Sequence, residues 1–137
     1  MKMIFLSEEG EIRPMEYPSG NHREQRREIC TEIGCDLIEV VRPKRLYEEL
    51  GMICGQYSNQ GESVAMIVDE EGLLKDGVSI NTIASWLYET DKHGNPIVGN
   101  VIFVGERETK DGIEFCGIER ETFEKLFEKL IKIAMKM

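Results

Sequence analysis

Residues 91–106, DKHGNPIVGNVIFVGE, set Gly94 and Gly99 at the G-x-x-x-x-G spacing of a loop that cradles phosphate. Such a loop needs Lys and then Ser or Thr after its last glycine, and it must open a helix whose N-terminal amides face the anion. Here Asn100 and Val101 stand in those positions, and the apolar run Val101-Ile102-Phe103-Val104 follows as a strand pattern. The match is one of spacing alone. His93-Gly94-Asn95-Pro96 is therefore read as a β-turn and Gly99 as a bulge entering a strand.

Acidic residues offer the next chemistry. Asp69-Glu70-Glu71 with Asp76 is the densest group, and Glu89 and Asp91 follow beside Trp86 and Tyr88. A calcium loop would alternate its ligands and end on a glutamate at its twelfth position, which this run does not do. General acid–base work needs two carboxylates in different environments, whereas neighbours in one turn are both solvated. A solvated turn is the bland reading. As a functional surface, Asp69, Glu70, Glu71, Asp76, Glu89 and Asp91 offer negative potential to a basic partner. Trp86 and Tyr88 could anchor such an interface, although helical spacing assigns Trp86 to the core.

Arg42-Pro43-Lys44-Arg45 is the compact basic group, with Arg23, Arg26 and Arg27 upstream. If the first helix lies beside the strand that follows it, Arg42, Lys44 and Arg45 could close an anion pocket with Tyr47 stacked on a base; the plainer reading pairs them with nearby carboxylates. Cys116 and His93 have the types of a nucleophile and a base but no surrounding signature. Cys30, Cys35, Cys54 and Cys116 contain no C-x-x-C pair and sit with only two histidines, so reduced structural thiols are expected. No metal ligand set, cofactor motif or catalytic constellation is signalled.

The elements that must carry these residues fit one domain. The length of 137 residues, 41% hydrophobic and 31% charged, describes a globular chain with a core of its own. Of the formal net charge of −9, residues 61–119 hold −8. That balance excludes direct nucleic-acid binding by a broad basic face. The N-terminal apolar run is too short for a signal peptide and nothing reaches the length of a membrane span, so a cytoplasmic protein is expected.

Met3-Ile4-Phe5-Leu6, the turn residues Ser7 to Gly10 and the run from Ile12 to Tyr17 predict an opening hairpin. Asn21 with Glu24 makes a capping box for a first helix that carries Ile29 and Ile33 and stops at Gly34. A strand follows up to Arg42-Pro43, then a short helix over 45–50 and a loop. Val64-Ala65-Met66-Ile67-Val68 reads as a central strand leaving through the acidic turn, and Asn81 caps a helix carrying Ile83, Trp86 and Leu87. From about residue 120, Phe123, Leu126, Phe127, Leu130, Ile131 and Ala134 form the stripe of a long amphipathic helix, with Glu121–Lys125 and Glu128–Lys132 pairs on its other face. That stripe packs on its own sheet or on a second copy, so a homodimer stays open. The fold class is α+β: a mixed or antiparallel sheet of four to five strands with about three helices.

VAMIVDEEGLLK, then Asn81 and Ala84-Ser85, then LYETDKHGNPIVGNVIFVGE and Gly112-Ile113-Glu114-Phe115-Cys116-Gly117 resemble the small proteins of domain of unknown function thirty-eight forty-six. EICTEIGCDLIEVV, residues 28–41, resembles the helix, glycine and strand before them. The resemblance spans 28–118, with the 1–20 hairpin and the 119–137 helix outside it. It implies an accessory protein of phages, plasmids and conjugative elements of Gram-positive bacteria, and no catalytic residues. The expectation is a non-enzymatic anti-defence inhibitor, anti-CRISPR or antirestriction-like, that occupies the basic nucleic-acid-binding surface of a host defence protein. The alternative is a sponge that sequesters a small signalling nucleotide through Arg42, Lys44, Arg45 and Tyr47.

Overall fold

The computed structural model describes residues 1–53, 55 and 59–137; Cys54 and part of the loop expected after the short helix lie outside the described residues. β1 (Lys2–Leu6) and β2 (Ile12–Glu16) pair as the expected hairpin, Lys2 opposite Glu16 and Leu6 opposite Ile12. The Ser7 hydroxyl turns the corner by accepting the Glu11 N–H at 2.9 Å. In α1 (His22–Ile33) the Asn21 side chain accepts the Glu24 N–H at 2.9 Å, and Gly34, at φ 86°, takes the left-handed backbone that ends the helix.

β3 (Ile38–Val41), α2 (Lys44–Leu50), β4 (Ser63–Asp69), a single 3-10 turn (Gly72–Leu74) and α3 (Thr82–Leu87) follow. Next come α4 (Thr90–His93), β5 (Val101–Thr109), β6 (Gly112–Cys116) and α5 (Arg120–Met135). The sheet runs β2-β1-β5-β4-β3, every ladder antiparallel. β6 joins β5 on the flank that β1 uses: β1 pairs Val101 to Phe103 and β6 pairs Gly105 to Thr109, with Lys2 bridging Ile118 between them. The fold is the expected α+β with a long C-terminal helix, and its sheet has six strands.

The sheet is covered on both faces. On one, Ile29 and Ile33 of α1 pack with Met3, Phe5, Ile67, Ile102 and Val104; on the other, side chains of α2, α3 and α5 pack with Ile4, Leu6, Val64, Met66, Val101 and Phe103. That is why β4 and the first half of β5 read as unbroken apolar runs: alternate residues go to different layers, and both layers are dry. Full burial of one such side chain, Phe103 or Ile102, contributes about 1.5–3 kcal/mol.

α5 lies on its own sheet through Leu126, Leu130 and Ile133. Ile131, placed in the apolar stripe by its spacing, is 39% exposed, because at 100° per residue it falls on the margin of the face centred on Leu126 and Leu130. Lys125 reaches the Leu50 carbonyl at 3.2 Å, tying α5 to the end of α2, while Lys132 makes the expected bond to Glu128 at 3.1 Å.

The predicted turn over His93-Gly94-Asn95-Pro96 is replaced. Residues 90–93 make one helical turn entered through Glu89 at φ 63° and closed by the Gly94 N–H on Thr90 O at 2.7 Å. Gly99 stands two residues before the β5 ladder, its N–H given to Ser79 O at 2.9 Å and its carbonyl accepting from the Asn81 amide at 2.9 Å. Asn81 thus caps α3 and holds the β5 entrance at once. Gly105 is required for a different reason: a Cβ there would lie 2.4 Å from the Gly117 carbonyl and 2.9 Å from Gly61 Cα, where three backbone segments cross.

Candidate functional site

The six acidic residues read as a partner surface divide into two sets. Asp69 ends β4 with its side chain 8% exposed, accepting the Glu71 N–H at 2.9 Å and the Lys75 ammonium at 2.6 Å. Lys75 also reaches the Gly34 carbonyl at 3.2 Å, and Asp69 holds that ammonium above the usual lysine range. Asp91 accepts both arms of Arg45, at 2.8 and 3.2 Å, and this guanidinium holds its carboxyl below the usual range. Glu89 is 3.4 Å from Lys92. These three are therefore fasteners within the chain, neutralised locally.

Glu70, Glu71 and Asp76 form no ion pair among the described residues. They flank the 3-10 turn that carries Leu73 and Leu74, which are 66% and 83% exposed. The turn is fixed from below: Glu70 N–H bonds Leu37 O at 3.0 Å, Leu74 N–H bonds Glu71 O at 3.0 Å, and Lys75 and Asp69 staple it to the end of α1. Leu37, beside Glu70, is 51% exposed. The result is an apolar tip with a carboxylate rim on a rigid base. Sequence reasoning named the acids and missed the two leucines, although their place between Glu71 and Asp76 was the available signal.

The basic group is compact in sequence only. Arg42 leaves β3 and binds Glu106, its Nε lying 3.0 and 3.2 Å from the two carboxylate oxygens. Lys44 is on the exposed side of α2, 3.8 Å from Glu48. Arg45 lies 4.7 Å over the Trp86 ring and donates to the Trp86 carbonyl at 2.6 Å, so Trp86 is covered by a cation and only half-buried. Tyr47 is 3% exposed, its hydroxyl given to Val64 O at 2.7 Å inside the core, which removes the ring proposed to stack on a base. The four residues do not converge on one pocket: Arg42 precedes Pro43, the N-cap of α2, and the helix turns Lys44, Arg45 and Tyr47 in different directions.

Glu106 was missed as a site. It is a fully buried carboxylate at the end of the buried stretch of β5, directly opposite Ser63 in the ladder. Ser63 is 2% exposed and its hydroxyl makes no hydrogen bond among the described residues.

Arg23, Arg26 and Arg27 do line a groove with the chain leading into β3, an open space of about 590 Å³ that also takes in Cys30, Cys35 and Leu37. No ion pair engages these arginines among the described residues. Cys116, 4% exposed on β6, has its thiol pushed up to about 11 by burial, and both His93 ring nitrogens are engaged, with Tyr88 O at 2.7 Å and the Asn95 N–H at 3.1 Å. The two do not form a nucleophile and its base. Among the described residues, no group of three His, Cys, Asp or Glu side chains is placed to hold a metal ion, and no helix is long and apolar enough to cross a membrane.

A family model described as a domain of unknown function, DUF3846, matches residues 1–131. The match takes in the opening hairpin and most of α5, both of which the sequence resemblance left outside. No curated protein and no solved structure matches the chain.

Proposed function

From the premise that the chain belongs to the DUF3846 family, a domain of unknown function, we propose that it is a non-catalytic binding protein. In this reading it docks through the acidic, leucine-tipped turn onto the basic nucleic-acid-binding surface of a host defence protein and inhibits it. The observation that carries the reading is that Glu70, Glu71 and Asp76, which form no ion pair among the described residues, surround exposed Leu73 and Leu74 on a turn already fixed to β4 and α1. A rigid apolar anchor inside a charged rim is what a directional protein interface needs. Covering one leucine contributes about 1.5–3 kcal/mol, and the rim sets orientation and association rate. The resemblance to accessory proteins of phages and conjugative elements supports a defence protein as the partner, in the cytoplasm of the host cell.

The test is capture from a Gram-positive host lysate on the immobilised chain, identification by mass spectrometry, and binding of the purified captured protein at stepped salt. A nucleic-acid-binding defence protein should be recovered and displaced by its own DNA or RNA. The Glu70→Lys/Glu71→Lys/Asp76→Lys variant should bind roughly tenfold or more weakly, with a flatter salt dependence. Recovery of no such protein, or equal binding by the triple variant, ends the reading.

A further inference from the structure

The end of α1 brings two thiols together. Cys35 N–H returns to the Cys30 carbonyl at 3.0 Å, the six-to-one bond of a Schellman ending, and Gly34 N–H meets the same carbonyl at 2.8 Å. In that ending the side chains three residues inside and two residues past the helix cap frequently pack against each other. Here they are Cys30 and Cys35, both free, both at the edge of the α1-side core and both lining the arginine groove. The backbone bond holds the two residues side by side at the end of the helix, and the Cys35 and Cys30 thiols interact with each other.

We propose that Cys30 and Cys35 are a redox site that closes to an intramolecular disulfide by exchange with a small anionic disulfide of the glutathione class. Cys30 is the half-buried partner and opens to the groove of Arg23, Arg26 and Arg27, whose guanidinium groups attract an anionic reagent. Its sulfur attacks one sulfur of the reagent, forming a mixed disulfide and releasing one thiol. Cys35 then attacks the Cys30 sulfur, forms the protein disulfide and expels the second thiol. The protein loses two electrons and two protons, and one disulfide molecule becomes two thiols. Burial pushes the Cys35 thiol up to about 12, with a further rise from Cys30 itself, so Cys35 takes the second step. The contribution of Cys30 disappears once that sulfur is in the mixed disulfide. Closure fixes the segment around Gly34, whose carbonyl holds Lys75 beneath the acidic turn. The redox site itself does not depend on the docking reading.

The folded protein is equilibrated in a glutathione redox buffer, quenched with acid, alkylated and cut with trypsin. Residues 28–44 leave as one peptide carrying both thiols. The expected result is loss of both alkylation sites and of two hydrogens from that peptide, reversed by dithiothreitol. The Cys35→Ser variant should stop at a single glutathione adduct on Cys30. Two alkylated thiols in the wild-type peptide, a persistent mixed disulfide on wild-type Cys30, or pairing of either residue with Cys54 or Cys116 would each overturn the proposal.

Discussion

Replacing Arg42 by alanine should destabilise the fold more than altering its partner Glu106, and the asymmetry follows from burial. The Glu106 side chain is 0% exposed, while that of Arg42 is 35% exposed. Removing the guanidinium strands a carboxylate in the interior, which costs about 3–5 kcal/mol. Glu106→Gln instead keeps an oxygen that can accept from a partly exposed guanidinium, and the loss is that of the charge assistance in those hydrogen bonds, at most about 1.5–3 kcal/mol. Combining the two substitutions should recover stability relative to Arg42→Ala alone, because a neutral amide is then what remains buried. In urea, with a denaturant slope of about 2 kcal/mol/M, the Arg42→Ala midpoint should fall by roughly 2 M. Equilibrium unfolding followed by circular dichroism reads all three variants. The reasoning is refuted if Glu106→Gln costs as much as Arg42→Ala, or if the double variant is less stable than Arg42→Ala.

Ser63→Ala removes a buried hydroxyl that makes no hydrogen bond among the described residues, so its unfolding free energy should stay within about 0.5 kcal/mol of wild type or rise; a larger loss in urea would show a partner. Gly105→Ala drives a methyl group onto the Gly117 carbonyl and should cost about 1–3 kcal/mol, read as a lower thermal midpoint. Glu119 caps α5 by accepting the Glu121 and Thr122 N–H groups, which hold its carboxyl below the usual glutamate range. Its contribution is therefore present above the unfolded value of about 4.3 and lost as the pH falls through the lower folded value. Glu119→Ala should cost about 0.5–2 kcal/mol at neutral pH, and thermal melts should show the gap to wild type closing in acid.

Local signals were legible and distant pairings were not. Asn21 and Gly34 announce the two ends of α1 because each acts within a few residues of itself. Val64 to Val68 and Val101 to Val104 declare themselves by apolar continuity, since both faces of their sheet are covered. β6 escaped because its strand GIEFC is short and half-exposed, with Ile113 at 40%. The single turn at Thr90–His93 depends on a glutamate in a left-handed conformation, which no propensity favours. The candidate site was half legible for the same reason. Arg42 finds Glu106 across 64 positions and Arg45 finds Asp91 across 46, so charges that look free in sequence are paired in space. Of the six acidic residues, only Glu70, Glu71 and Asp76 keep, among the described residues, the unpaired character their composition suggested.

The position of β5 sets an order on biosynthesis. The hairpin of β1 and β2 and the pair of β3 and β4 can each assemble as soon as they leave the ribosome, but neither touches the other until β5 slides between them. At ordinary translation speed, the span from Asp69 to Thr109 takes about 2–8 s to emerge. For that interval two half-sheets stand with their inner edges and apolar faces open, and a nascent chain stalled before Val101 is a natural client for chaperones.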